Sequence, residues 1–409
     1  MNGKIQHDIN WKEMLYLICL CTYIVVFTLV MEGSLLSYIP FMKWEQFVIF
    51  IHVINGILVV KILFDIAEEP RIAGVIVLTG AVGFMVYRHN SADMILSVLW
   101  FLCASRNVRP RKITQCLFWS HLFSFVMMLV LCITDIVPFG KVVKSGHTAV
   151  SYALGFPHPN MAAAKLLQII MLFWLLRKGR LTLIHYIGII AAMIGIKYVM
   201  DCGTVVLLLG VLLVFTVLYN IPGVTAFLYR KIHVVRNLFL TGYLGILGAT
   251  TVFFYICKNE MRFKVLGTFG SRIIQAVRYY KYYGFSLFGQ PLMYYKLNPE
   301  EAKKAGLYTL DNGYMYLLLG FGAILFLYLI FLHAGTIWWM FRRKRLDYIV
   351  MYGVFFIYGF LETQVIRTSM NFTLFYLFGF IWEYYDTKKT AENSRKPQSG
   401  FPDVVPLHL

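Results

Sequence analysis

Met14 to Met31 reads MLYLICLCTYIVVFTLVM, a run of residues without a single charged side chain. Wound as a helix it covers ~27 Å, close to the ~30 Å hydrocarbon core of a bilayer. No small-residue cleavage site follows it, so the run is expected to remain in the chain as an uncleaved signal anchor. Further apolar runs of spanning length lie near 46–64, 113–135, 160–176, 181–199, 203–220, 237–257, 312–332, 348–364 and 370–385. Two shorter runs, near 72–87 and 92–104, either cross twice or form one re-entrant hairpin, and both readings leave the chain on the same side. Composition agrees: 59% of the 409 residues are hydrophobic and 14% charged, against roughly a quarter charged in soluble domains. The expected fold is all-α and polytopic, with about twelve transmembrane helices within a single domain over 1–385. A long loop (258–311) with an amphipathic helical segment and a polar tail (386–409), expected to be disordered, complete it.

The net charge of +18 is mostly a topology signal. Arg106, Arg109, Arg111 and Lys112 form one cluster, and Arg177, Lys178 and Arg180 a second. Arg230, Lys231 and Arg236 form a third, and Arg342, Arg343, Lys344 and Arg345 a fourth. With about twelve passes all four fall on one side, joined by Lys388, Lys389, Arg395 and Lys396 of the tail, so both termini are expected in the cytoplasm. Attraction to anionic headgroups follows, and nucleic acid is a poor partner for this charge. The long loop differs. It carries Arg262, Lys264, Arg272, Arg278, Lys281, Lys296, Lys303 and Lys304 against Glu260, Glu300, Glu301 and Asp311. Long loops are exempt from the positive-inside bias, so a bound anion or a solvated basic surface has to account for the excess.

Several chemistries lack support. There is no GxxxxGK[ST] loop, GxGxxG turn, GxSxG elbow or HExxH helix. Cys19, Cys21, Cys103, Cys116, Cys132, Cys202 and Cys257 sit in or beside apolar spans without ligand spacing, so they read as small hydrophobes. No metal or cofactor is expected.

What remains are polar islands at span ends. Leu154-Gly155-Phe156-Pro157-His158-Pro159-Asn160 places a proline in the first turn of a helix whose free amides would face the outer interface, where an anion fits. Lys165, two turns beyond His158, either snorkels to headgroups or meets water or a counter-ion. Arg272 and Arg278 lie in an amphipathic segment with Ile273, Ile274 and Val277, and a guanidinium fork holds two phosphate oxygens at once. Tyr279, Tyr280, Tyr282, Tyr283, Phe285, Phe288, Tyr294, Tyr295 and Tyr308 suit either an interface belt or sugar stacking. Asp311 is placed to cap the helix that Asn312, Gly313 and Tyr314 open. Glu362 and Arg367 bracket the last outer turn, as a salt bridge or as contacts to an anion.

Taken together, the Leu-Gly-Phe-x-His-Pro-Asn string, Gly270-Ser271-Arg272, Ser286-Leu287-Phe288-Gly289-Gln290, Leu310-Asp311-Asn312-Gly313-Tyr314 and Glu362 resemble the Wzy-type polysaccharide repeat-unit polymerases across about 150–365. That resemblance implies a GT-C-like membrane glycosyltransferase of the O-antigen ligase and polymerase superfamily, taking lipid-pyrophosphate-linked oligosaccharides as donor and acceptor on the outer face of the cytoplasmic membrane. It further implies a pathway flippase and a chain-length regulator as partners. Two departures stand out: Asp201-Cys202-Gly203-Thr204 lacks the arginine relatives carry there, and Gly270-Ser271-Arg272 stands where Thr-Gly-Arg is common. The expected roles are Arg272 as the cation facing the leaving group, and His158 as general base with Asp311 in reserve and His147 third. Lys165, Asn160, Arg278, Arg367, Glu362, Asn312 and Tyr314 are expected to contact substrate. Transfer to another acceptor, as in a ligase, or lipid-linked oligosaccharide flipping are the competing functions.

Overall fold

A computed structural model describes residues 10–33, 35–38, 43–90, 93–143, 150–256, 267–292, 306–307, 310–363 and 367–395. Of the residues singled out above, His147, Cys257, Tyr294, Tyr295, Tyr308, Lys396 and the loop charges at 260–264, 296 and 300–304 lie outside the described residues.

The chain is a bundle of helices. Among the described residues eight are long and apolar enough to cross a membrane, and three shorter apolar helices accompany them. Helix α1 (Trp11–Val26) starts at Asn10, whose side chain accepts the amides of Lys12 and Glu13, and continues to Glu32 through a π-helical turn. After α2 (Leu35–Tyr38), α3 (Trp44–Glu68), α4 (Ala73–Asn90), α5 (Asp93–Ala104) and α6 (Pro110–Ile133) run back and forth. A short antiparallel hairpin, β1 (Lys141–Val143) with β2 (Val150–Tyr152), separates α6 from α7 (Pro159–Leu176). Then come α8 (Leu183–Gly195), ending in a second π turn, α9 (Gly203–Asn220), α10 (Pro222–Arg230) and α11 (Ile232–Ile256). Helices α12 (Gly267–Tyr283), α13 (Gly313–Arg342), α14 (Leu346–Leu361) and α15 (Gly379–Arg395) complete the order. Trp119, Ile133, Leu183, Ile184, Leu207, Leu238 and Phe331 are exposed on helix faces, an outward apolar surface that only a lipid solvent would tolerate at this scale.

Three details refine or correct the sequence reading. The short run 72–87 belongs to a 21-residue apolar helical segment, Pro70–Asn90. Its first turn meets α15 through the Lys389–Glu69 pair, while Asn90 at its other end donates to the carbonyl of Gly320. At 21 residues this segment is by itself long and apolar enough to cross a membrane. The run 370–385 is not one helix: Phe372–Tyr376 forms a 3₁₀ turn and α15 begins only at Gly379. Non-helical backbone is tolerated at membrane depth when protein surrounds it, and Phe372, Leu374, Phe375, Leu377 and Phe378 are all buried. Finally, α15 runs on to Arg395, so the first part of the expected disordered tail is helical.

Ion pairs knit one end of the bundle together. Lys12 meets Asp65 and Glu68, Lys61 meets Asp65, Arg109 meets Glu13, Arg106 meets Asp386 and Arg343 meets Glu383. Tyr229 donates to the Lys344 carbonyl, and Tyr219 lies within electrostatic reach of Arg180 and Asp347. The cationic clusters of the sequence therefore gather at one end. The opposite end carries α12 and the polar islands.

Candidate functional site

Helix α12 does more than float on a membrane surface: Ile274, Ala276, Val277 and Tyr279 are buried as it docks on α11 and α13. Its two arginines are six positions apart, roughly 240° around a helix axis, so they point to different neighbours. Arg278 Nη1 reaches the Gly306 carbonyl at 3.2 Å, and the guanidinium fills the space a side chain at Gly306 would need. Arg272 turns into the bundle, where only 16% of its side chain stays exposed. There Nη2 lies 3.6 Å from Glu362 and 3.4 Å from the Thr204 hydroxyl. Its Nε has no hydrogen-bond partner among the described residues. Thr204 belongs to the Asp201–Thr204 turn where an expected arginine is missing, so Arg272 brings a cation to that same turn.

Asp311 stands in the field of this guanidinium. Burial pushes its carboxyl above the usual carboxylate range, against the pull of the Arg272 charge. The capping role expected of Asp311 falls instead to Asn312, whose side chain accepts the Met315 amide at 3.0 Å. Asp311 is left outside the helix with its carboxylate uncommitted to a cap. Tyr314 is buried against Gly359, where any side chain would strike its ring, and its hydroxyl donates to the Phe356 carbonyl. It fastens α13 to α14. Glu362 ends α14 in an extended conformation, and half-buried Arg367 follows after the turn. The Tyr358 hydroxyl lies within electrostatic reach of Glu362, Arg367 and Glu32, so these charges share one neighbourhood.

His158 is the N-cap of α7: exposed, in extended conformation, with Nδ1 accepting the Asn160 amide at 3.1 Å. Accepting at Nδ1 leaves the proton of the neutral ring on Nε2. The outward nitrogen is then a donor, and service as a base would require breaking the cap. Asn160 contributes its backbone to that cap.

Lys165 neither snorkels nor faces a substrate. It is fully buried, with Nζ 2.8 Å from Glu32, 2.8 Å from the Thr28 hydroxyl and 3.4 Å from His121 Nδ1, and it also donates to the Ser369 carbonyl. Gln168, one turn on, donates to the same carbonyl, while the Ser369 hydroxyl hydrogen-bonds Glu32. Removing two ions from water costs roughly several kcal/mol each, repaid only by close geometry and further hydrogen bonds. The sequence reading missed Glu32, His121, Gln168 and Ser369. Their only signal is polarity within or beside apolar runs, which does not say which of them meet.

A third feature concerns the Ser286–Gln290 string. Helix α13 is broken at Gly322, which adopts φ 88° and ψ 164°. Into the break fits the segment after α12: Gln290 donates to the Gly320 carbonyl, Ala323 to that of Ser286 and Ile324 to that of Leu287. A side chain at Gly322 would come within 2.3 Å of the Gly289 nitrogen, and one at Gly289 within 2.3 Å of the Gly320 oxygen. Both positions require glycine, and the clip ties the α12 region to the membrane core.

Set against known proteins, the chain finds no counterpart: no protein-family model, no curated protein and no solved structure matches it. Function therefore has to be argued from the site. Among the described residues no group of His, Cys, Asp or Glu side chains gathers to hold a metal ion. The end that carries α12 offers one guanidinium poised between a carboxylate and a hydroxyl, and a second carboxylate whose proton affinity is raised. Such a pair can bind an anion and take up a proton beside it.

Proposed function

We propose that this chain is a membrane glycosyltransferase of the polymerase type, joining oligosaccharide repeat units carried on undecaprenyl pyrophosphate at the outer face of the cytoplasmic membrane. The reading adds the three shorter apolar helices and the 370–385 segment to the eight long spans, giving about twelve passes in a GT-C-like arrangement. The cation-rich end then faces the cytoplasm together with both termini. The observation that carries the proposal is the inward-turned Arg272 between Glu362 and Thr204, in the field of Asp311.

In the reaction, the acceptor sugar hydroxyl attacks the anomeric carbon of the donor. The bond from that carbon to the pyrophosphate oxygen breaks, and the electron pair leaves with the lipid pyrophosphate. Arg272 faces the charge gathering on that leaving group, where a fixed guanidinium in a water-poor site needs no reorganisation as the charge develops. Arg367 adds a second cation from the neighbouring turn. Glu362 holds the Arg272 fork in place until the anion competes for it. The hydroxyl proton passes to Asp311, favoured over His158 because the imidazole is engaged as a cap. Incubating purified protein with a lipid-linked repeat unit tests the reading. Long glycans from the wild type and single units from Arg272→Ala support it. Unreacted substrate that crosses liposomes indicates a flippase, and transfer to a different acceptor indicates a ligase.

A further inference from the structure

Buried ionic pairs are seldom the most stable way to fill a membrane core, since well-packed apolar residues do as well or better. Glu32 and Lys165 are 1% and 0% exposed, yet their ionisable ends lie 2.8 Å apart. What they hold is specific. Ser369 is fastened three ways: its carbonyl accepts from Lys165 and from Gln168, and its hydroxyl hydrogen-bonds Glu32. The adjacent Thr368 hydroxyl donates to Tyr23 at 3.2 Å. Two residues earlier in the same turn is Arg367, whose carbonyl accepts the amides of Met370 and Asn371. The π turn of α1, the interior of α7 and the 367–371 turn, far apart in sequence, thus meet at one lysine. His121 completes the surroundings, with its Nδ1 3.4 Å from the Lys165 nitrogen.

From this geometry we infer that Glu32 and Lys165 are positioning residues, a charged clamp that sets the Arg367–Asn371 turn and so aims Arg367 at the anion site beside Arg272 and Glu362. The inference rests on the transferase reading above. A lysine suits the task because one ammonium presents three donors in three directions; here they meet Glu32, Thr28 and the Ser369 carbonyl. An apolar substitute fills the volume but removes one of the three fastenings of Ser369.

The test compares Lys165→Met, which leaves Glu32 buried and unpaired, with Glu32→Gln/Lys165→Met, which removes both charges, and with Lys165→Arg. Each full-length variant is purified in detergent and followed by thermal unfolding, by turnover on lipid-linked repeat units, and by amide exchange at Met370 and Asn371. The clamp predicts that the double variant unfolds near the wild-type temperature while its kcat falls 10-fold or more. Exchange at those two amides should rise at least 10-fold, and Lys165→Arg should retain part of both properties. A double variant with wild-type exchange and wild-type kcat overturns the inference and leaves the pair a packing feature. Inactive wild-type protein defeats the transferase reading alone; the exchange measurement still decides whether the pair fixes the turn.

Discussion

Asp311 and His158 show how the setting of a side chain decides which of two candidate bases is available. His158 was the more obvious choice from its motif, but its Nδ1 is occupied by the Asn160 amide. Asp311 is displaced from the capping position by Asn312 and sits where burial raises its proton affinity. A base must be ionised to work, so turnover should fall as pH drops through the raised pKa of Asp311, above the ~3.9 of an unperturbed aspartate. The linked stability effect has the opposite sense. Folded Asp311 holds its proton more tightly than the unfolded chain does, so its contribution to stability is greatest in acid and declines as pH rises through the raised value. Asp311→Asn should lower kcat by ~10²–10⁴ and abolish that acidic limb. An unchanged acidic limb in the variant, measured as kcat against pH, would assign the base elsewhere.

At the scale of the element, α13 is the instructive case. Its residues 312–332 read as one continuous apolar span, and Gly320, Gly322 and Gly289 look unremarkable among 31 glycines. Their meaning emerges only when the Ser286–Gln290 segment is seen lying in the break, exchanging backbone hydrogen bonds with residues 320–324. At φ 88° a β-carbon is strained on its own account, and the contact at 2.3 Å adds an overlap with backbone that has nowhere to move. Gly322→Ala should therefore destabilise the protein by ~3 kcal/mol or more, and should loosen α12 and Arg272 with it. Thermal unfolding in detergent measures the first effect. Gly188→Ala, at a helical position with open space around it, is the control and should change the melting temperature little. Equal melting temperatures for the two variants would show that the clip carries no strain.

For the molecule as a whole, the two ends of the bundle divide the labour. Charges at one end are largely compensated in place, with Lys12, Lys61, Arg106, Arg109, Arg343 and Lys389 each meeting a carboxylate. At the other end Arg272 meets Glu362 at 3.6 Å, and in the proposed reaction it and Arg367 turn to the anion. Single cysteines at Lys178 and Lys344, in a background with the native cysteines replaced, should react with an impermeant thiol reagent only after cells are opened. A cysteine at exposed Tyr282 should react in intact cells. The reverse pattern would place the candidate site in the cytoplasm and exclude an extracytoplasmic polymerase.

Much of this architecture was legible from composition and run length alone, because a bilayer accepts few solutions: uninterrupted apolar stretches must become helices that satisfy their own backbone. The sequence by itself determined that the protein is helical and membrane-embedded. It offered Asp311 and Glu362 as candidates because charges at span ends stand out against an apolar background, and Arg272 because it lies in an amphipathic stretch of a basic loop. The tertiary structure decided the rest. Which charges meet depends on contacts between residues far apart in the chain, such as Glu32 with Lys165 and Arg272 with Glu362. Neither a cap taken by the neighbouring residue nor a helix opened to admit a loop leaves a periodic trace in the chain. A local pattern records what one segment prefers, whereas partnership is set by how segments pack.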